Sequence, residues 1–351
     1  MAESTPIRTA LLSYGMSGEV FHGPLLSAHP GFELTTVVQR HSDRALTHYP
    51  NVKLARHTDE VMADSSVELV IVNTPNGTHT ELVTQALQAG KHVVVEKPFT
   101  VKSADANALI ALADKKDLVL SVFQNRRWDG DFQTVQKVIQ EKLVGDVVEF
   151  EAHYDRFRNY VEANTWKEES GPGSGILYNL GSHMLDQALV LFGMPVSVDA
   201  RMGTQRPHGK IDDFYDVRLQ YRGFQCIVKS SYLVREQGPR YVIHGTEGSF
   251  VKYGLDPQEQ ALKERKVPGS AGWGHESPSD WGKLNTTLAG LHYEGRIETL
   301  PGNYLKYYDS VYGAIREGKP LAVTAEHARK VIQLIEACIA SNRDRTAVTF
   351  S

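Results

Sequence analysis

Short apolar runs alternate with amphipathic stretches along the first third of the chain. The runs "IRTALLSYG", "FELTTVVQR", "VELVIVNTP", "KHVVVEKP" and "LVLSVFQNRRW" read as strands. A helix from about Glu19 to Ala28, then "THTELVTQALQAG" and "SADANALIALADKKD", read as the helices between them. Repeated strand–helix–strand units imply a parallel sheet with right-handed crossovers and helices on both faces. Ligands of such a sheet bind outside the carboxyl ends of its strands.

From about Val147 the period changes to two. The segments "DVVEFEAHYDRFR", "VSVDARMGTQR", "FYDVRLQYRG", "FQCIVKSSYLV" and "RYVIHGTEGSFVKYG" predict antiparallel strands joined by turns. One helix, "ILYNLGSHMLDQALVLFG", interrupts them and is stopped by Gly193 and Pro195. "KVPGSAGWGHESPSDWG" reads as a long exposed loop, and "TAEHARKVIQLIEACIASN" as a final amphipathic helix. The expected fold class is an α/β Rossmann domain over residues 1–124, followed by an α+β domain over 125–351. The first would bind the dinucleotide, the second the substrate and further subunits.

With 351 residues, of which 41% are hydrophobic and 23% charged, the chain is ordinary globular material of two-domain length. A formal net charge of -4 offers no basic surface for nucleic acid or an anionic membrane. No apolar run approaches the ~20 residues of a membrane span, and the start lacks the order of a secretory signal, so a cytoplasmic location is expected. Cys226 and Cys338 each sit in an apolar pattern, which argues against a disulfide framework or thiolate metal site. No third ligand accompanies His183 and Asp186, so no metal is expected.

Candidate chemistry gathers at the predicted strand ends. "SYGMSGEVFHGP" places Gly15, Met16, Ser17 and Gly18 between the first strand and first helix, with Ser13 where a G-x-G-x-x-G pattern begins. Glycines there let backbone N–H groups approach a pyrophosphate, although a plain tight turn has the same composition. After the second strand, "VVQRHSDR" offers Gln39, Arg40, His41 and Ser42 where an NAD-binding domain normally carries an acid. A cation suits a 2'-phosphate, so NADP(H) is the expected cofactor, with Arg40 its contact and NAD(H) the alternative. Thr74, Pro75, Asn76 and His79 close the next strand and would floor the cofactor site, or form only a turn and helix cap.

Lys97 follows Glu96 at the end of a buried strand. A lysine there can hold a substrate oxygen while charge develops during hydride transfer, and Glu96 would position it or touch the cofactor's ribose. The Lys97–Pro98 bond is a candidate cis peptide. Asn179 and His183, four apart, share a helix face behind Gly171, Gly173 and Gly175. His183 is the candidate acid/base, against the bland alternative of a structural histidine.

Taken together, "GMSGEVFH", "NTPNGTH", "GKHVVVEKPF", "GSGILYNLGSHMLD" and "HGTEGSF" resemble the Gfo/Idh/MocA family, and other stretches resemble its NADP-dependent scyllo-inositol dehydrogenase-like branch. The resemblance spans nearly the whole chain. It implies a C-terminal domain built on a large open antiparallel sheet, a catalytic lysine at Lys97 and an acid/base histidine at His183. It further implies substrate contacts from Arg126, Trp166, Asn179 and His183, with Asn179 standing where the family usually has aspartate. The implied activity interconverts a secondary alcohol and ketone on a small inositol or sugar-like polyol. A homodimer or homotetramer is expected, since an exposed sheet is a liability. The alternative from another class is a non-catalytic NADP-binding sensor on the same fold.

Overall fold

The computed structural model describes residues 5–163 and 165–350. They form two compact units, and the division is discontinuous along the chain. The first takes residues up to Trp128 together with Gln258–Trp273 and Asn303–Arg329. The second takes Asp129–Pro257, Gly274–Gly302 and the chain from Lys330 onward. Position in the sequence alone would assign both returning segments to the second domain. Among the described residues no helix is long and apolar enough to cross a membrane.

The first unit is built on six strands: β1 (Ile7–Leu11), β2 (Phe32–Val38), β3 (Lys53–Ala55), β4 (Leu69–Val72), β5 (His92–Val95) and β6 (Leu120–Val122). Their order is β3-β2-β1-β4-β5-β6 and every pairing is parallel. The chain reverses its direction of winding between β1 and β4, which is where an open sheet of this kind leaves a crevice for ligand. All four residues of β4 are fully buried, as are Val93, Val94 and Val95 of β5, because helices cover both faces.

The helix expected from Glu19 is a π-helical turn over Ser17–His22 that runs into an α-helix over Gly23–Ala28. The returning helix Leu305–Glu317, which the pattern reading passed over, supplies Tyr307 and Tyr308 to a buried aromatic cluster with Phe32 and Phe123. Its tyrosines end in polar partners: Tyr307 donates to Ser121 Oγ (3.0 Å), which donates onward to the Val323 carbonyl (2.8 Å).

The second unit holds nine strands: β7 (Val147–His153), β8 (Ser197–Gly203), β9 (Phe214–Gln220), β10 (Gln225–Ser231), β11 (Tyr241–Gly245), β12 (Gly248–Lys252), β13 (Gly282–Leu288), β14 (Leu291–Ile297) and β15 (Val348–Thr349). Their order is β14-β13-β12-β11-β7-β10-β9-β8-β15. The sheet is mixed rather than wholly antiparallel, because β10 lies parallel to β7. The helix after β7 returns the chain, and the meander β8-β9-β10 then brings its third strand home in β7's own direction.

Alternation is clean on the covered face, with Phe150, Ala152, Val217, Leu219 and Val228 buried. The opposite face carries charges paired across strands, such as Lys229 with Asp216 (3.4 Å) and Lys283 with Glu294 (2.6 Å). These pairs give the open face of the sheet a charged component.

One buried ion cluster braces the irregular chain between β7 and the following helix. Arg206, fully buried, meets Asp213 at 2.9 Å and Glu168 at 2.8 Å, donates to the Tyr160 carbonyl (2.7 Å), and lies over the Tyr232 ring. Removing one carboxylate from such a cluster leaves an uncompensated charge in the interior. Asp213→Ala is expected to cost about 3–5 kcal/mol in urea unfolding. A loss below about 1 kcal/mol would mean that water already screens this cluster.

Candidate active site

The turn after β1 is shaped by two close approaches. A Cβ on Gly18 would run into the Ser13 carbonyl oxygen and the Asn73 side-chain amide, whereas one on Gly15 would meet only Ser13 Oγ at 3.5 Å. Gly18 therefore permits the helix to pack against the strand end, and Asn73, at the end of β4, ties the turn down by donating to the Ser13 carbonyl (2.8 Å). Ser13 Oγ accepts the Gly15 N–H (3.1 Å), which leaves its own hydroxyl proton to donate elsewhere. No side chain caps the helix that begins at Ser17, an arrangement suited to a bound pyrophosphate. The acid in its first turn, Glu19, is neutralised by Arg265 (2.5 Å) and Arg44 (3.4 Å). These residues fit a dinucleotide.

At the end of β2 the expected donors divide. Arg40 is exposed, while Gln39 is buried and braces the loop, accepting the Ala45 N–H (2.8 Å) and donating to Ser42 Oγ (2.8 Å). Two arginines that the sequence reading did not single out flank the same loop. Arg44 donates to the Tyr14 carbonyl (3.0 Å), and Arg56 holds the carbonyls of Gln39 (2.9 Å) and Ser42 (3.1 Å) and pairs with Asp43 (2.7 Å).

The turn after β4 is a short 3-10 helix over Asn76–Thr78, entered through Pro75 with no side-chain cap. Thr74 and Thr78 share a hydroxyl hydrogen bond of 2.7 Å. His79 is fully buried, with Nδ1 2.9 Å from the Pro98 carbonyl and Nε2 3.0 Å from that of Thr74. Burial holds its pKa below the usual value against the pull of those carbonyls. A neutral ring donates to only one of them at a time, and neither nitrogen faces outward. His79 thus acts as a strut between two strand ends.

Glu96 is engaged within the unit: its Oε1 accepts from His22 Nε2 (3.0 Å) and its Oε2 from the Lys97 N–H (3.1 Å), which ties it to the residue that it was expected to position. Burial pushes this carboxyl up, but the His22 hydrogen bond and the nearby positive charges, Lys97 among them, more than offset it and hold it below the usual range. The Lys97–Pro98 bond is cis. Lys97 is half-buried at the carboxyl edge of β5.

In the second unit, Asn179 lies in a π-helical turn, Leu177–Gly181, and buried His183 in the α-helix that follows it, Ser182–Phe192. Single π turns of this kind concentrate at functional sites. The turn is fixed from behind by Asp212, whose carbonyl accepts the Ile176 N–H (3.0 Å) and whose carboxylate accepts that of Leu177 (3.1 Å). Gly175, at φ +95, leaves room for that carboxylate, which any Cβ would strike. Burial raises the Asp212 carboxyl against the pull of the amides. A cavity of about 430 Å³ on the same unit, lined by His153, Asp155, Asp216 and Lys229, includes none of the candidate residues.

Models of known families match both halves. Residues 7–124 match the oxidoreductase family's NAD-binding Rossmann fold, and residues 136–350 its C-terminal alpha/beta domain. The chain belongs to the Gfo/Idh/MocA oxidoreductase family. A Bacillus subtilis member named scyllo-inositol 2-dehydrogenase (NADP(+)) IolW is 40% identical over 345 residues, covering 97% of this chain and 95% of that protein. The solved structure of the oxidoreductase yvaA from Bacillus subtilis matches with a TM-score of 0.96 at 39% identity, covering 99% of each chain. That of the oxidoreductase YPO2259 from Yersinia pestis matches with a TM-score of 0.92 at 40% identity, over 99% of this chain and 98% of that one.

Two residues implied as substrate contacts of this Gfo/Idh/MocA member fare differently. Arg126 is 7% exposed and its guanidinium meets Glu259 at 2.5 Å. Burial would raise Glu259, yet Arg126 and Lys263 bring its carboxyl down to about 2. Arg126 is therefore held by an internal ion pair within its own unit. The Trp166 side chain lies outside the described residues. Lys97 and His183 belong to different units.

Gly18→Ala is expected to cost roughly 1–3 kcal/mol, because backbone and a buried amide must shift to admit the methyl group. Gly15→Ala should leave thermal unfolding nearly unchanged. Equal losses at the two positions would refute the division of roles between them.

Proposed function

We propose that the protein is an NADP(H)-dependent dehydrogenase or reductase that interconverts a secondary alcohol and a ketone on an inositol or sugar-like ring. The observation that carries this reading is Lys97 at the carboxyl edge of β5, its backbone N–H held by the largely buried Glu96 carboxylate. The kinship with an NADP-dependent scyllo-inositol 2-dehydrogenase supports the substrate class. The nicotinamide ring, when bound, supplies or receives the hydride at the carbon bearing the oxygen. His183 takes the hydroxyl proton in oxidation and returns it in reduction. Lys97 holds a substrate oxygen through its ammonium, stabilising the charge that develops there. Asn179, a neutral amide beside His183 in sequence order, orients groups by hydrogen bonding and adds no full charge.

Arg40, exposed beside Arg44 and Arg56, is the proposed 2'-phosphate contact. Its position at the end of β2 and the absence of a carboxylate at residues 39–42 support NADP(H) over NAD(H).

Following nicotinamide absorbance with a polyol and ketose panel tests the reading directly. Lys97→Ala is expected to retain NADPH binding while lowering kcat by about two orders of magnitude on any substrate turned over. Near-normal turnover would remove Lys97 from the chemistry, and tight NADPH binding without turnover of any panel member would overturn the reaction. Arg40→Ala should weaken NADPH by about 1.5–3 kcal/mol more than NADH in binding titrations. Equal weakening of both would exclude a 2'-phosphate contact.

A further inference from the structure

A second histidine, outside the set that the strand ends suggested, lies against Glu96, the residue before Lys97. His22 closes the π-helical turn Ser17–His22 and is completely buried. Its Nε2 is 3.0 Å from Glu96 Oε1 and its Nδ1 is 2.7 Å from the Tyr308 hydroxyl. The ring is clamped against Phe123 at a centroid distance of 4.3 Å, so it has no room to turn over. A carboxylate only accepts hydrogen bonds, which fixes the proton on Nε2. Tyr308 serves Nδ1 in either charge state, because a hydroxyl both donates and accepts. The result is a linear buried chain: Tyr308, His22, Glu96, then the Lys97 backbone N–H.

We propose that His22, oriented by Tyr308, is a positioning residue for Lys97, acting through Glu96. This rests on the reading of Lys97 as the residue that holds the reacting oxygen. Without a donor at Oε1, a carboxylate at the end of a buried strand would take up a proton as the cheaper way to lose its charge. A protonated Glu96 no longer supports the ammonium beside it, and its own O–H competes for the acceptors around the turn. His22 supplies that donor from the helix that opens at the phosphate turn, so the proposed cofactor-binding turn and Lys97 are joined through one imidazole. The other ionisable groups facing Glu96 are Lys97, the buried His79, and the hydroxyls of Tyr307 and Tyr308. Both tyrosines are pushed far up by burial and stay neutral, and His79 is pushed down. His22 is the one of these neighbours with a ring nitrogen on the carboxylate.

The sign follows from the direction of the Glu96 shift. Its carboxyl is held below the usual range, so its charge is present at neutral pH and lost only as pH falls through that lowered value. Removing the His22 donor while leaving the burial moves the titration upward, and the acidic limb of activity moves with it.

The test compares His22→Leu with His22→Gln in the full chain. Glutamine's amide nitrogen stands close to the place of Nε2 and retains a donor, whereas leucine retains only bulk. Infrared difference spectra, with Glu96→Gln identifying the Glu96 carboxyl band, report its protonation without any need for turnover. In His22→Leu the band is expected to titrate about one pH unit or more above wild type. The acidic limb of kcat/KM should shift by the same amount, and kcat should fall roughly tenfold or more at little change in NADPH affinity. His22→Gln should restore most of each effect. Should His22→Leu fail to fold, Tyr308→Phe keeps the ring packed, removes only the hydroxyl, and should give a smaller shift in the same direction. An unmoved Glu96 band, or equal losses in the leucine and glutamine variants, would reduce His22 to a packing residue and overturn the proposal. If wild type turns over no panel substrate but the band still shifts, the link to Glu96 stands and the proposed reaction is what fails.

Discussion

A carboxylate buried at the end of a parallel strand is the constraint around which the first unit is arranged. Glu96 follows three fully buried valines of β5, and with its side chain only 12% exposed it has little water to support its charge. Desolvation of that kind costs several kcal/mol unless donors are built around the group. Two donors reach it, the Lys97 N–H and His22 from the helix that opens the phosphate turn, and the positive charge of Lys97 adds to them through space. His22 in turn needs Tyr308, which arrives on a helix from the far end of the chain. The returning segment 303–329 is therefore part of the first unit for an electrostatic reason as well as for packing.

The second unit solves a related problem with a pair of adjacent acids. Asp212 takes the amide at the start of the turn that carries Asn179, and Asp213 takes Arg206, which reaches Glu168 and the Tyr160 carbonyl. One dipeptide thus anchors both the helix bearing His183 and the irregular chain upstream of it. Such anchoring matters for proton transfer, where a displacement of about 1 Å can cost a factor of a hundred in rate. Gly175 is bound into the same bracket, because only a residue without Cβ leaves space for the Asp212 carboxylate.

Much of this was legible in the chain. The order of strands and helices in the first unit follows from periodicity, since buried parallel strands must be continuous apolar runs. Gly18 was legible as a glycine of the turn between the first strand and helix, and Lys97 as a cation at a strand's carboxyl edge. His22 was not, because it stands among apolar residues in "EVFHGP" and its two partners lie 74 and 286 residues away. Gln39 and His79 were read as facing the ligand because they are polar and sit at strand ends. Both turned inward, where backbone amides and carbonyls required partners. Arg126, implied by kinship to touch substrate, is likewise held by Glu259 from the returning segment.

What the sequence determined by itself was whatever depends on neighbours within a turn or two: the periods, the caps and breaks, the glycine positions, and the family to which these motifs belong. What only the tertiary structure decided was the pairing of charges and the direction of strands brought together from afar. The parallel seating of β10 against β7 depends on how many times the chain reverses between them, and no local propensity counts reversals. The choice of His22 as the partner of Glu96 depends on a shared burial, which raises the energy of every unpaired polar group and so selects one partner among many. That selection exists only once water has been excluded, and the order of residues along the chain does not contain it.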